Sequence, residues 1–401
     1  MRKGEVETLE YHRDRGVSVT VYRGKSKGSA SSGDLGPESV QNCVIKAAEI
    51  ARFTQPDEFA GLPDPDRLAS EFPELDLWHP QELPVETVIE NATLVEAAGL
   101  NMDERIVNSE GGGFSASQAI SLLANSDGFS GRSWGTNYSQ SCAFIAADEA
   151  GMQRDYWYDN KHALVDLDPL HITGEIAAQR SLARLGARSV KTERMPVIFN
   201  PQVAAGLLGH FIAAISGGNL YRNASYMKDR LHSQVFPEAL SLQEQPLLKR
   251  GASSASFDAE GVKTSSARIV NRGQLEEYLL NSYSARKLGM TTNGHAGGVH
   301  NLIVEAPAIT SQHLLADMGD GLLVTEVMGQ GVNIVTGDYS RGASGFLIKN
   351  GQIEHAVDEV TIAGNLAAMF MDIIGIGNDV DARGRIHAPS VLVASMMVAG
   401  E

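Results

Sequence analysis

The stretch "GLLGHFIAAISGG", Gly206 to Gly218, spells about three helical turns that are apolar on every side except for one histidine, His210. A helix with no polar face has to be packed inside something larger. The 401-residue chain, 43% hydrophobic and 20% charged, is long enough to build that core, and its length predicts two or three domains. In such a setting a lone histidine reads first as a packed core residue and second as a metal ligand. A zinc-peptidase helix needs a second histidine and a water-activating glutamate beside the first, and Phe211, Ile212, Ala213, Ala214 and Ile215 supply neither.

Around that helix the pattern predicts an α+β protein. Alternation in "GVSVTVYRG" and the small-residue stretch "KGSASSGDL" predict a hairpin. Apolar residues Val40, Val44, Ala47, Ala48 and Ala51 then mark the buried face of a helix opened by Pro37. The proline- and acid-rich residues 55–84 read as an ordered surface excursion. A second helix over Val85 to Ala98, strand-and-turn pairs to about residue 160, and a helix stopped at Gly186 complete an N-terminal α/β layer domain, 1–190. The second domain, 191–401, reads as mostly antiparallel β, barrel-like or sandwich, with flanking helices. Its hairpin signals are "SARIVNRGQLEEYLL" and the Asn350-Gly351 turn of "GFLIKNGQIEHAV".

Composition excludes several functions. A formal net charge of −16 with no basic cluster argues against direct nucleic-acid binding. The two cysteines, Cys43 and Cys142, give neither a disulfide framework nor a thiolate metal site, which predicts a reducing, cytoplasmic setting. Neither a signal peptide nor a membrane-spanning apolar run is visible. The glycines of "MGQGVNIVTGDYSRGASG" lack Rossmann spacing, and Ser344 in "GASG" is not on a nucleophile elbow.

Two loops retain functional promise. "TTNGHAGGVHN" places His295 and His300 in a glycine-rich setting with Gly297 between them, where both rings could reach one ion or simply bond backbone. In "TGDYSRGASG" the residues Asp338, Tyr339, Arg341 and Gly342 could line a cleft, or Asp338 and Arg341 could pair across a turn.

Read in order, "GLLGHFIAAISGGNLYR", "SYSARKLGMTTNGHAGGVHN", "VTEVMGQGVNIVTGDYSRGASGF" and "EVTIAGNL" resemble the TldD/PmbA metallopeptidase family, and the likeness runs from "GVSVTVYRG" to "APSVLVASMMVAG". The resemblance is to the family's non-zinc subunit, also linked in that family to DNA gyrase. Compared with the family, a leading helix and first strand are expected to be missing before Met1, leaving a sheet edge or helix face uncovered. The catalytic member carries His-Glu-x-x-x-His and a late cysteine. Laid on this sequence, the first histidine falls on His210, the glutamate on Phe211 and the second histidine on Ile215, while nothing after Cys142 is cysteine. Histidines five apart lie roughly 140° apart on an ideal helix, so the catalytic member must end or distort its helix there, an adjustment this chain's apolar residues are not expected to need.

The resemblance implies a partner subunit of a TldD-like zinc metallopeptidase that helps enclose and process unfolded peptides, with no cofactor of its own and zinc in the partner. His295, Gly297, His300, Asp338, Tyr339, Arg341 and Gly342 are the substrate or interface candidates. A homodimer is the other assembly open to it. The competing readings are an independent metallopeptidase with an atypical site around His295, His300 and Asp338 or Asp379, and a regulatory peptide- or protein-binding protein linked to gyrase.

Overall fold

The computed structural model describes residues 1–400. Strands β1 (Val17–Arg23) and β2 (Ser26–Ser32) form the expected hairpin, in register from Val17 opposite Ser32 to Arg23 opposite Ser26. Helix α1 (Pro37–Phe53) covers it with a stripe that the sequence suggests only in part: Ala47 and Ala51 are buried as expected, but they are joined by Cys43, while Ala48 is exposed and Val44 is 43% exposed. The reason is closeness. A Cβ on Gly28 of β2 would lie 2.1 Å from the Ala47 carbonyl oxygen, so only small side chains fit between helix and hairpin. The excursion over 55–84 contains one 3-10 turn, Pro65–Arg67, and is tied down where the Arg286 guanidinium donates to the carbonyls of Phe59, Gly61 and Leu62.

Helix α2 (Val85–Leu100) and helix α3 (Leu170–Ala183) lie side by side on a sheet of β3 (Ile106–Ala124), β4 (Ser130–Asp148) and β5 (Gly151–Lys161), all antiparallel. Val95, Cys142, Phe144, Ala177 and Ala178 fill the space between. Cys43 and Cys142 are buried and unpaired, and burial pushes the Cys142 thiol up to about 12.

The remaining chain builds two sheets around the largest core. The strands are β6 (Glu193–Phe199), β7 (Ser241–Glu244), β8 (Ala267–Asn271), β9 (Gln274–Leu275), β10 (Leu302–Glu305), β11 (Gly321–Met328), β12 (Asp338–Lys349), β13 (Gln352–Asn365), β14 (Ile373–Ile376), β15 (Ile386–His387) and β16 (Val391–Ala399). Between them run helices α4 (Pro201–Ala214), α5 (Gly217–Tyr221), α6 (Ser282–Leu288), α7 (Ser311–Met318) and α8 (Leu366–Met371). The order β13-β12-β11-β6-β16 closes into a five-stranded barrel because Thr361, Ile362 and Ala363 of β13 pair with Ala399, Val398 and Met397 of β16. All contacts in it are antiparallel except β6 with β11. Alternation sorts the strands: Val197 and Phe199 join the main core, while Ile198 turns outward against Leu314 and Met318 of α7. Both hairpin signals hold, with Arg272-Gly273 (φ 48° and 77°) and Asn350-Gly351 (φ 49° and 73°) in the left-handed region that tight two-residue turns require. Among the described residues no helix is long and apolar enough to cross a membrane.

Candidate functional site

Helix α4 starts cleanly: Pro201 occupies its first turn and the Asn200 side chain accepts from the Val203 N–H at 3.0 Å. It ends sooner than its apolar sequence suggests, at Ala214. Ile215 and Ser216 leave the helix to pair with another segment, Gly217 N–H donating to Leu279 O and Leu279 N–H to Ile215 O. The expectation of an undisturbed helix is thus corrected, because main-chain bonding to Leu279 competes with continuation. Nor is α4 enclosed on every side. Val203, Ala204, Leu207, Leu208, Phe211 and Ala214 are buried, whereas Gly206 is exposed and a Cβ on Gly206 or Gly209 would meet nothing within 4 Å. These glycines and His210 share one face at i, i+3 and i+4, so His210 stands on an open helix face with no side chain on the glycines beside it.

Tyr339 and Arg341 of β12 stand across from it. Tyr339 is 2% exposed and packs edge-on against His210 with ring centroids 6.1 Å apart. Arg341 is two residues along, on the same inward strand face as Tyr339 and the buried Ala343. Its one protein hydrogen bond runs from Nε to the Met328 carbonyl at 3.3 Å, and no carboxylate pairs with it among the described residues. Burial, then the Arg341 charge, lowers the His210 pKa, so the ring is neutral at pH 7. Burial pushes the Tyr339 phenol up to about 12 against the opposing pull of Arg341. Asp338 points the other way, accepting from Thr336 Oγ1 at 2.6 Å, so the suggested Asp338–Arg341 turn pair does not form. Gly342 also lies on the opposite strand face, with Met328 Cβ 3.6 Å from where its own Cβ would be.

The residues at the metal position do not fit zinc. Phe211 is fully buried, with Phe236 at 4.9 Å and Phe370 at 5.7 Å between ring centroids, and Ile215 is fully buried beyond the helix end. Packing, rather than coordination, occupies both places where a base and a second ligand would stand.

His295 and His300 lie elsewhere and converge on a residue that sequence reasoning missed, Glu244 at the end of β7. His295 Nε2 is 2.6 Å from Glu244 Oε2, His300 Nδ1 is 3.2 Å from Oε1, and the His300 N–H also donates to Oε1. Asn293 Oδ1 accepts from the Leu280 N–H and faces His295 Nδ1 at 2.9 Å. Both nitrogens of His295 therefore face acceptors, an arrangement that a doubly protonated ring satisfies. Burial alone would raise the Glu244 pKa, but the hydrogen bonds of both histidines and the charge of His295 bring it down to about 2. Asp258 fixes the same loop by accepting from the Ala296 N–H at 2.9 Å, and Gly297 is held at φ +116° with its carbonyl accepting from Arg385. Asp379 is engaged by Ser390 and Ser311, and neither it nor Asp338 joins the two histidines, so the atypical metal site is not assembled. Nothing near His295 or His300 in sequence announces Glu244; the 1-3-4 spacing of Gly206, Gly209 and His210 was a readable signal of an open helix face.

A cleft of about 670 Å³ between the two halves is a concavity near α4. Its cations are all paired: Arg383 with Asp381, Arg250 with Asp76 and Asp166, Lys161 with Asp159, and Arg180 with Asp155. Arg341 differs from all of them in having no acid.

Comparison with known proteins places this architecture. The PmbA/TldA metallopeptidase models match as domain 1 over residues 1–51, the central domain over 78–185 and the C-terminal domain over 192–400. Metalloprotease PmbA of Escherichia coli O157:H7 is 44% identical over 400 residues, covering 100% of this chain and 89% of its own length. The Haemophilus influenzae PmbA homolog is 42% identical over 401 residues, with 100% and 89% covered. A crystal structure from Bacteroides thetaiotaomicron, described as a candidate modulator of DNA gyrase, superposes with TM-score 0.91 at 28% identity, covering 96% of this chain and 88% of that one. TldE from Thermococcus kodakarensis, at 19% identity, shares the fold with TM-score 0.80 over 97% of this chain and 95% of its own. The chain belongs to the TldD/PmbA, or PmbA/TldA, metallopeptidase family.

Proposed function

We propose that this chain is the non-catalytic partner of a TldD-like zinc metallopeptidase and helps hold unfolded peptide for cleavage on the other subunit. The observation that carries the reading is the pair Phe211 and Ile215: the family's metal helix is retained, but its chemistry is replaced by buried packing against Phe236 and Phe370. The open face beside His210 offers glycine backbone and unpaired polar groups, which suits holding a chain rather than cutting it. Two free, buried cysteines accord with a reducing, cytoplasmic setting.

The test is co-expression with a TldD-like peptidase, followed by the mass of the purified assembly under native conditions and its turnover of unfolded peptides. The expected result is a complex containing both chains that outpaces either chain alone. Two separate homo-oligomers with unaltered activity would contradict it. Action on gyrase is a second reading, favoured by the description of the Bacteroides relative. With a formal net charge of −16 it would run through a protein contact rather than through DNA.

A further inference from the structure

We infer that the surface between the open face of α4 and the start of β12 binds the carboxylate of a peptide, with Arg341 as the cation and Tyr339 and His210 as neighbouring hydrogen-bonding groups. The inference rests on the peptide-holding part of the function proposed above and names what that surface recognises.

Arg341 carries a charge that no acid of the described residues balances. Arg341 is half-buried on an inward strand face between Tyr339, 2% exposed, and Ala343, fully buried. A guanidinium there keeps contact with solvent, so its unused donors are accessible to a ligand. Two acids on its own and the neighbouring strand are committed elsewhere: Asp338 accepts from Thr336, and Glu326 pairs with Arg184. Apart from Nε, which reaches the Met328 carbonyl, the fork of Arg341 has no partner. A planar fork with free donors matches a carboxylate in two parallel hydrogen bonds, which a backbone carbonyl cannot reproduce.

The surroundings suit the same ligand. The Tyr339 hydroxyl and the His210 ring nitrogens make no hydrogen bonds within the protein, and burial keeps the phenol protonated and able to donate at neutral pH. Gly206 and Gly209 leave the space beside His210 free of side chains, so a main chain can lie against α4 while its acid reaches Arg341. A terminal carboxylate and an aspartate or glutamate side chain share this chemistry, and the experiment separates them.

The test measures dissociation constants by calorimetry on the full chain for three short N-acetylated peptides otherwise free of charged side chains: one with a free C-terminus, its C-terminal amide, and the amide with one internal glutamate. The free acid should bind about tenfold or more tighter than the amide, the usual scale for a charge-assisted hydrogen bond. Arg341→Gln should abolish that preference with the melting temperature retained, Arg341→Lys should keep part of it, and Tyr339→Phe should weaken acid binding several-fold. If the glutamate peptide matches the free acid, side-chain acids are the source; if it binds like the plain amide, the C-terminus is. No binding, equal binding of acid and amide, or a preference that survives Arg341→Gln overturns the inference. A chain that shows the preference but forms no complex sinks the partner role alone, and a complex without the preference sinks this inference alone.

Discussion

Two histidine settings in one domain have opposite characters. Around Glu244, the rings of His295 and His300 close on a carboxylate whose side chain is 2% exposed, and main-chain and side-chain donors satisfy it from several directions. Around His210, the ring and the Tyr339 hydroxyl hold no protein hydrogen bond, and Arg341 holds one, from Nε to the Met328 carbonyl, with its two terminal nitrogens unpartnered. The first setting spends its polar groups on the fold, tying β7 to the 293–301 loop. The second leaves them for something outside the chain. Loop histidines five residues apart look more like a site on paper than one histidine in an apolar helix does, yet the satisfied cluster is structural and the unsatisfied one is the candidate for binding.

The strongest way to break this comparison is through Glu244. Glu244→Ala removes the acceptor shared by two histidines and the His300 N–H, and is expected to cost about 3–5 kcal/mol, the scale for losing one partner of a buried pair. Equilibrium unfolding in urea reads it, and a loss below about 1 kcal/mol would show the cluster to be dispensable. Acid probes the same link without mutation. The folded Glu244 carboxyl titrates at about 2, below its ordinary value of 4.5, so its contribution is complete above about pH 4.5 and disappears as pH falls toward 2. That contribution is on the order of 3 kcal/mol and should be missing from the pH-stability profile of Glu244→Gln.

The smallest effect belongs to the open setting. His210→Ala removes a half-buried ring that holds no protein hydrogen bond, so unfolding experiments should show a change of about 1 kcal/mol or less. Peptide turnover by the two-subunit assembly should keep its kcat while KM rises by no more than several-fold, because the ring only helps to hold peptide. A loss of turnover at unchanged stability would give the ring a direct part in the chemistry.

Much of the architecture was legible because it is written locally. The Asn350-Gly351 turn, the alternation of β1 and the glycine after α3 each determine their element from a few residues. Barrel closure was not, since the pairing of β13 with β16 joins residues some 35 apart that carry no local mark. The buried face of α1 was read correctly at Ala47 and Ala51 but not at Cys43 and Val44, because residue hydropathy ignores distance and larger side chains would not fit against the hairpin. In the site, Tyr339 and Arg341 were visible as a polar pair in a glycine-rich setting, and the structure adds that they meet His210. Glu244 was invisible because it lies 51 residues from His295 and reaches it only through the β7–β10 pairing and the loop before β10.

The central claim is the proposal that packing of Phe211 and Ile215 on one side of α4 stands in place of metal chemistry, with an arginine unpaired with any acid on the other. Metal analysis of the purified full chain by inductively coupled plasma mass spectrometry addresses it most directly. The account predicts zinc far below one ion per chain, unchanged by His210→Ala. One tightly held zinc per chain that disappears in His210→Ala, together with peptide cleavage stopped by a chelator, would contradict it.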